Sequence, residues 1–322
     1  MTPNGTLAGR GRLGVLLMTY GSPAGPHDMP RYLAAVRGGR PASDEVVAEF
    51  RRRYDVIGGS PLIPITHRQA AAVGDELTRR GVDARAAAGM RFSSPTIAEA
   101  LEDLARAGCA DVVGVVMSPQ HSELLMAGYR RELEQAATAL GDRAPEVTLA
   151  PAWYRHDGFI GAVAERISEA MPDECADVAV LLSAHSLPRR VADEEPGYLA
   201  QLGETAELVA ERAGLRPDRW RFCWQSAGHE PGEWMTPDFA DLLPELRRSG
   251  FNAVLVAPIQ FLADHLEILY DVDVGARAQA EEAGLQFARI ASLNVMPRFV
   301  AALADVALDA AGHRLPASLI RG

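Results

Sequence analysis

The stretch Asp177-Val-Ala-Val-Leu-Leu-Ser183-Ala-His185-Ser-Leu-Pro188 is a continuous apolar run that closes on a histidine and a proline. A run of this length without polar alternation suits a strand buried on both faces, as in a parallel sheet covered by helices. Pro188 keeps a helix from absorbing the turn that follows. In open α/β sheets, ligands sit beyond the carboxyl ends of the strands. An imidazole placed there can coordinate a metal or accept a proton near neutral pH. From position alone, a packing histidine in a helix-capping loop explains His185 equally well.

Working outward, the same pattern recurs along the chain. Strands are expected at 13–18, 84–89, 111–117, 146–150, 177–182, 220–224, 253–258 and 287–290. Helical patterns fall between them at 44–54, 67–80, 95–107, 123–140, 159–171, 198–213, 239–249, 263–283 and 298–311. Strands separated by helices imply crossover units and parallel sheets. Eight strands divide into two four-stranded units meeting near residues 172–175. Each half also has proline and a polar residue just past a strand end, in Pro119-Gln-His121 and in Pro258-Ile-Gln260, although proline after a strand is common. Two equivalent units would bring such ends together around one cleft. The flexible ends are expected in the first dozen and last ten residues.

Composition bounds the function. The 322-residue chain is 48% hydrophobic and 23% charged, which describes a globular protein with ample core. No run of about 18 apolar residues reads as a membrane span, and the N-terminus lacks a signal-peptide core, so the cytoplasm is expected. A net charge of −11 argues against a nucleic-acid footprint. All 32 basic residues are arginine, a bias that weakens any single arginine as a signal, although the guanidinium fork suits carboxylates. Cys109, Cys175 and Cys223 are scattered, without the spacing of a zinc or iron–sulfur motif, and are expected to be inert. No dinucleotide fingerprint follows the first strand, since the one GxGxxG match, at residues 9–14, leads into it, and no phosphate loop is present.

Two further clusters carry chemistry. In Asp264-His-Leu-Glu267-Ile-Leu-Tyr-Asp271-Val-Asp273, an α-helix would align Asp264, Glu267 and Asp271 on one face. Such a line suits a path for a divalent metal. For Asp264 and Asp273 a plain solvated acidic face is the better reading. Glu267 sits among apolar neighbours and fits that reading less well. On the same helix His265 would point away from Glu267, so the two are not expected to share a metal. The other cluster follows the first strand. Tyr20-Gly-Ser-Pro23 is succeeded by a long segment in which arginines (Arg31, Arg37, Arg40, Arg51 to Arg53) interleave with apolar and aromatic residues. That composition suits a lip over a flat, apolar ligand bearing carboxylates; routine surface helices would also produce it.

Taken together, Tyr20-Gly-Ser-Pro23, Arg53-Tyr-x-x-Ile-Gly-Gly-Ser60-Pro-Leu62, Ser183-Ala-His185-Ser-Leu-Pro188, Trp224-Gln-Ser226 and Asp264-His-Leu-Glu267-x-Leu-Tyr-Asp271 resemble the ferrochelatases, in order and over residues 13 to 312. The resemblance implies an α/β chelatase fold of two flavodoxin-like doubly wound domains, each with a four-stranded parallel sheet, and a cleft between them. The N-terminal domain with its porphyrin-covering lip would span 1–172. The C-terminal domain with the metal-inserting residues would span 173–294, and a last helix at 295–313 would pack back on the first domain.

The implied reaction is insertion of Fe²⁺ into a porphyrin with loss of two pyrrole protons. His185 would be metal ligand and proton acceptor, and Glu267 its partner in coordination and proton relay. Tyr20 resembles the coproporphyrin III branch, approaching the metal from the face opposite His185. Arg37, Arg53, Ser60 and Tyr129 match positions that anchor the porphyrin. Arg91-Phe92 and Gly275 depart from the family pattern, which puts in doubt a secondary metal contact and an outer metal site. The resemblance implies no prosthetic group, since iron is a substrate; some members of the family carry a [2Fe–2S] cluster, and with three scattered cysteines none is expected here. The resemblance also implies transient contact with coprohaem decarboxylase, the next enzyme of the haem pathway; a monomer without integral membrane association is expected, although the sequence does not fix the oligomeric state. The alternatives are a protoporphyrin IX ferrochelatase, a sirohydrochlorin- or cobalt-type chelatase and a non-catalytic porphyrin or haem carrier. A carrier would need no base, and a sugar-nucleotide transferase would need a phosphate loop.

Overall fold

A computed structural model describes residues 11–172, 177–227 and 232–312. Eight strands form two parallel sheets: β1 (Arg12–Thr19), β2 (Ala84–Met90), β3 (Cys109–Val116) and β4 (Glu146–Leu149) in the first, β5 (Val178–His185), β6 (Trp220–Gln225), β7 (Ala253–Pro258) and β8 (Gln286–Arg289) in the second. The spatial orders are β2-β1-β3-β4 and β6-β5-β7-β8, so the halves repeat one topology. Every expected strand is present, with ends moved by no more than three residues. The first strand of each unit lies in mid-sheet, next to the point where the order reverses. β1 and β5 are accordingly buried along almost their whole length.

The first unit carries α1 (Met29–Val36), α2 (Asp44–Val56), α3 (Leu62–Arg79), α4 (Ile97–Arg106), α5 (Glu123–Leu140) and α6 (Asp157–Ala170). The second carries α7 (Arg189–Glu194), α8 (Pro196–Arg212), α9 (Phe239–Arg248), a π-helix (Glu267–Ala276) running into α10 (Arg277–Glu282), and α11 (Pro297–Ala310). Starts are set by side-chain caps. Thr96 and Asp238 form reciprocal capping boxes with Glu99 and Asp241, and Ser43 accepts from the Val46 N–H. α1 and α7 were not expected, being too short for periodicity to reveal. Pro188 does not keep a helix away; it immediately precedes α7.

α11 packs against α3 and α6. One buried cluster runs through both halves, drawing in Leu17, Phe159, Val180 and Phe299. Cys109 and Cys223 are buried and unpaired; Cys175, like the segment between the units and residue 313, lies outside the described residues. Among the described residues, no helix is long and apolar enough to cross a membrane.

Candidate active site

His185 is the last residue of β5, beside the sheet's switch point. Its backbone N–H donates to Gln260 Oε1 at 2.8 Å, so the glutamine beyond β7 fixes the strand end. The ring Nδ1 lies 2.5 Å from the Ser186 carbonyl, which can only accept. Nδ1 therefore carries the hydrogen, and Nε2 faces Glu267 Oε1 at 3.6 Å. Burial opposes the imidazolium, but the Glu267 charge and the carbonyl outweigh it and push the pKa up to about 9. Glu267 opens the π-helix. Burial works against its charge, and His185 and His265 together hold it well below the usual carboxylate range.

His265 corrects one expectation from the sequence. Its Nε2 lies 3.3 Å from Glu267 Oε2, and its Nδ1 lies 2.9 Å from the Ala263 carbonyl. An α-helix beginning at 263 would have separated the two residues. Instead the helical run begins only at Leu266, and His265 folds back from the preceding turn. Glu267 is thus flanked by two Nε2 atoms whose opposite nitrogens are both pinned to backbone carbonyls. Phe261 packs against both rings, edge-on to His185 at 6.3 Å and tilted to His265 at 4.7 Å. Periodicity could not have found this contact; the only sequence signal was the i, i+2 spacing of the histidine and glutamate.

The same turn takes Asp264 out of the acidic line. Its carboxylate accepts from Ser292 Oγ at 2.7 Å and Asn294 Nδ2 at 2.8 Å, with Arg289 alongside at 3.5 Å. Asp273 receives Arg289 through two nitrogens, at 2.7 and 2.9 Å. Both carboxylates serve structure, though neither forms the solvated face expected of them. Asp271 stays beside Glu267, whose charge and, before it, burial push its pKa up.

Across the cleft, Tyr20 follows β1 just as His185 ends β5. Gly21 turns the chain there with φ +86°, and a Cβ at that position would meet Ser93 Oγ at 2.6 Å. Tyr20 is 39% exposed as a residue, and its ring packs on Phe92 at 5.1 Å. Burial pushes its phenol up, Arg91 opposes, and Glu267 adds to the rise from the other unit. Tyr129 is almost wholly buried, with its ring edge-on to Tyr20 at 6.4 Å.

The remaining candidates lie on the lip. Arg53, on α2, reaches Glu49 at 2.7 Å and Asp271 of the other unit at 3.6 Å, with its guanidinium over the Tyr270 ring. Its neighbour Arg52 donates to the Tyr270 hydroxyl at 2.6 Å. Arg37 is exposed at the end of α1, and Ser60 precedes α3 with its Oγ 3.4 Å from the Leu62 N–H. A cavity of about 460 Å³ under the lip is lined by His27, Asp28, Arg31, Arg91 and Phe92 but by neither His185 nor Glu267.

Chemically, His185 and Glu267 can hold one cation between them. Ligand distances near 2 Å spread two such donors to about 3 Å or more, and a separation of 3.6 Å is compatible. Nitrogen and oxygen donors together suit first-row divalent metals. Among the described residues, no three His, Cys, Asp or Glu side chains converge as a ready metal cage.

A ferrochelatase family model matches residues 12–311. The chain is 38% identical over 306 residues to a ferrochelatase of Deinococcus radiodurans, covering 94% of this chain and 96% of that protein. It is 33% identical over 312 residues to the coproporphyrin III ferrochelatase of Bacillus subtilis, covering 94% and 99%. It is 34% identical over 305 residues to that of Anoxybacillus flavithermus, covering 92% and 96%. Among solved structures, the cobalt complex of the sirohydrochlorin chelatase SirB from Bacillus subtilis subspecies spizizenii superposes with TM-score 0.55 at 13% identity, over 94% of this chain and 96% of that one. CbiX, the terminal enzyme of sirohaem biosynthesis in denitrifying bacteria, gives 0.53 at 16%, over 93% and 99%. The last two likenesses concern the chelatase fold alone.

Proposed function

The chain belongs to the ferrochelatase family, whose place is in haem biosynthesis, and from that premise we propose that its substrate is coproporphyrin III, metallated by Fe²⁺ to coprohaem. The observation that carries this reading is that Tyr20, just beyond β1, lies near enough to the His185–Glu267 pair for the Glu267 charge to reach its phenol, with Arg53 on the lip joined to Asp271 beside that pair. Several relatives bearing the coproporphyrin name support the choice of porphyrin.

Metallation exchanges two pyrrole N–H protons for Fe²⁺, and charge balances because the deprotonated ring is a dianion. The site must therefore deliver a dication and remove two protons on one face. His185 and Glu267 do both in turn. They hold the metal first, and once it passes to the ring nitrogens the emptied imidazole and carboxylate are free to take protons. His265 adjoins the second Glu267 oxygen and offers that carboxylate an outlet. Tyr20 closes the opposite face. Arg37, Arg53 and Ser60 bind the propionates, and Tyr129 lies against Tyr20 as part of the porphyrin bed. Distortion of the ring, drawn from this binding energy, exposes the nitrogen lone pairs.

The test is anaerobic metallation, followed by absorbance, with Fe²⁺ and either coproporphyrin III or protoporphyrin IX. Faster turnover of coproporphyrin is expected. Preference for protoporphyrin would overturn the substrate, and no metallation of either would overturn the activity.

A further inference from the structure

Behind Tyr20 stands a residue whose role the reaction scheme leaves open. Arg91 follows β2, and its side chain is only 10% exposed. The guanidinium lies over three rings at once, with centroids 4.8 Å away for Phe92, 5.1 Å for Tyr129 and 5.6 Å for Tyr20. Its Nε donates to Glu132 on α5 at 3.0 Å. Space for it is built into α5, since a Cβ at Gly128 would overlap the guanidinium. A charge so deeply placed is costly unless it is paired and has work to do. The rings of Tyr20 and Tyr129 also meet each other, so the cation is the common partner of an aromatic cluster whose exposed member is Tyr20.

We propose that Arg91 is a positioning residue for the reaction: wedged among Tyr20, Phe92 and Tyr129 and anchored by Glu132, it holds Tyr20 toward the porphyrin and sets a fixed positive charge behind the face opposite His185. Two consequences follow from the geometry. A cation–π contact with the rear of the Tyr20 ring leaves its hydroxyl as the edge that meets the porphyrin. Glu132 offsets the Arg91 charge, so this side offers a dication no net attraction, while Glu267 and Asp271 place carboxylates on the other. Metal entry is therefore biased to the His185 side before any ligand binds. This deepens the reading of Tyr20 as the residue facing the metal, and rests on it.

The experiment uses ferric coprohaem bound to the purified full chain, read by absorption and resonance Raman for tyrosine ligation of the iron. The variants are Arg91→Met, Arg91→Lys and Gly128→Ala. The last leaves Arg91 intact but takes its place, on a helix that alanine favours over glycine. Wild-type protein is expected to show the tyrosine-ligated spectrum, Arg91→Met and Gly128→Ala to lose it, and Arg91→Lys to recover part of it. A fold check by circular dichroism accompanies each variant. Retention of the wild-type spectrum in both Arg91→Met and Gly128→Ala overturns the positioning role while leaving the Tyr20 reading intact. A wild-type complex without tyrosine ligation overturns the Tyr20 reading and this proposal together; metallation by the same sample shows whether the activity itself stands.

Discussion

The two nitrogens of His185 have different partners, and that difference fixes how the residue responds to pH. With Nδ1 given to the Ser186 carbonyl, Nε2 and a Glu267 oxygen would present lone pairs to each other unless a proton or a metal lies between them. With the His185 pKa pushed up to about 9, the proton holds that place at neutral pH. A metal must displace it, so the affinity for a divalent probe such as Zn²⁺ should rise about tenfold per pH unit until the imidazole is neutral. Calorimetry in buffers of different ionisation enthalpy checks this: release of about one proton at pH 7 is expected, and none would show that the pair is not the entry site. Stability runs the other way. A histidine whose pKa is raised from 6.5 to about 9 by folding stabilises fully below 6.5, and that contribution is lost as the pH climbs to 9. Glu267→Gln should flatten this slope in thermal melts and cost roughly 10²-fold or more in turnover. His185→Ala should likewise abolish insertion while leaving porphyrin binding largely intact. His185 and Glu267 were legible as residues because each breaks the apolar pattern around it. His265 was not, because its partnership depends on where a helix begins.

That dependence belongs to the element. Spacing of i, i+3 and i+7 defines a face only when the α-helical period holds throughout, and between Asp264 and Asp271 it does not. The chain turns through 264–265, starts at Leu266, and then winds in the wider i→i+5 turns that recur at functional sites. Arg289 is what holds the turn. It joins Asp273 inside the π-helix to Asp264 before it, and also donates to Ser292 Oγ and the Ile290 carbonyl. Arg289→Met would leave two carboxylates, each about a quarter exposed, without their cation. A loss of roughly 1–3 kcal/mol is expected from charge-assisted hydrogen bonds of this kind. Urea unfolding measures the loss. Because the turn carries His265 and Glu267, turnover should fall further than stability alone accounts for, and a variant with normal metal dependence would show the turn to be held elsewhere. Elements with long apolar runs were read nearly to the residue, β7 without error. α1 and α7 escaped because eight and six residues are too few to establish a period.

At the scale of the whole molecule, the repeated topology accounts for the different chemistry that the proposed binding mode gives a flat ring on its two faces. The same strand of each unit, β1 and β5, ends at the switch point and supplies Tyr20 on one side and His185 on the other. The order of elements made this duplication visible in the sequence; the bonds that join the units were not, since they pair residues far apart along the chain. Glu195 of the second unit caps α5 of the first, accepting from Ser122 Oγ and from the Glu123 and Leu124 N–H groups. Gln120 reaches Thr205 nearby. On the opposite side the units meet through the lip, where Arg53 divides its charge between Glu49 and Asp271. In the proposed binding mode a propionate must compete with both carboxylates for that guanidinium. Coproporphyrin, with four propionates, is better equipped to do so than protoporphyrin with two. Arg53→Met should therefore raise KM for coproporphyrin III by about tenfold or more, the equivalent of one charge-assisted hydrogen bond. Protoporphyrin should be affected less, and kcat less than KM for either. Steady-state kinetics with both porphyrins separates these outcomes. Equal losses on the two substrates would mean that Arg53 acts by holding the lip to Asp271 rather than by choosing the porphyrin.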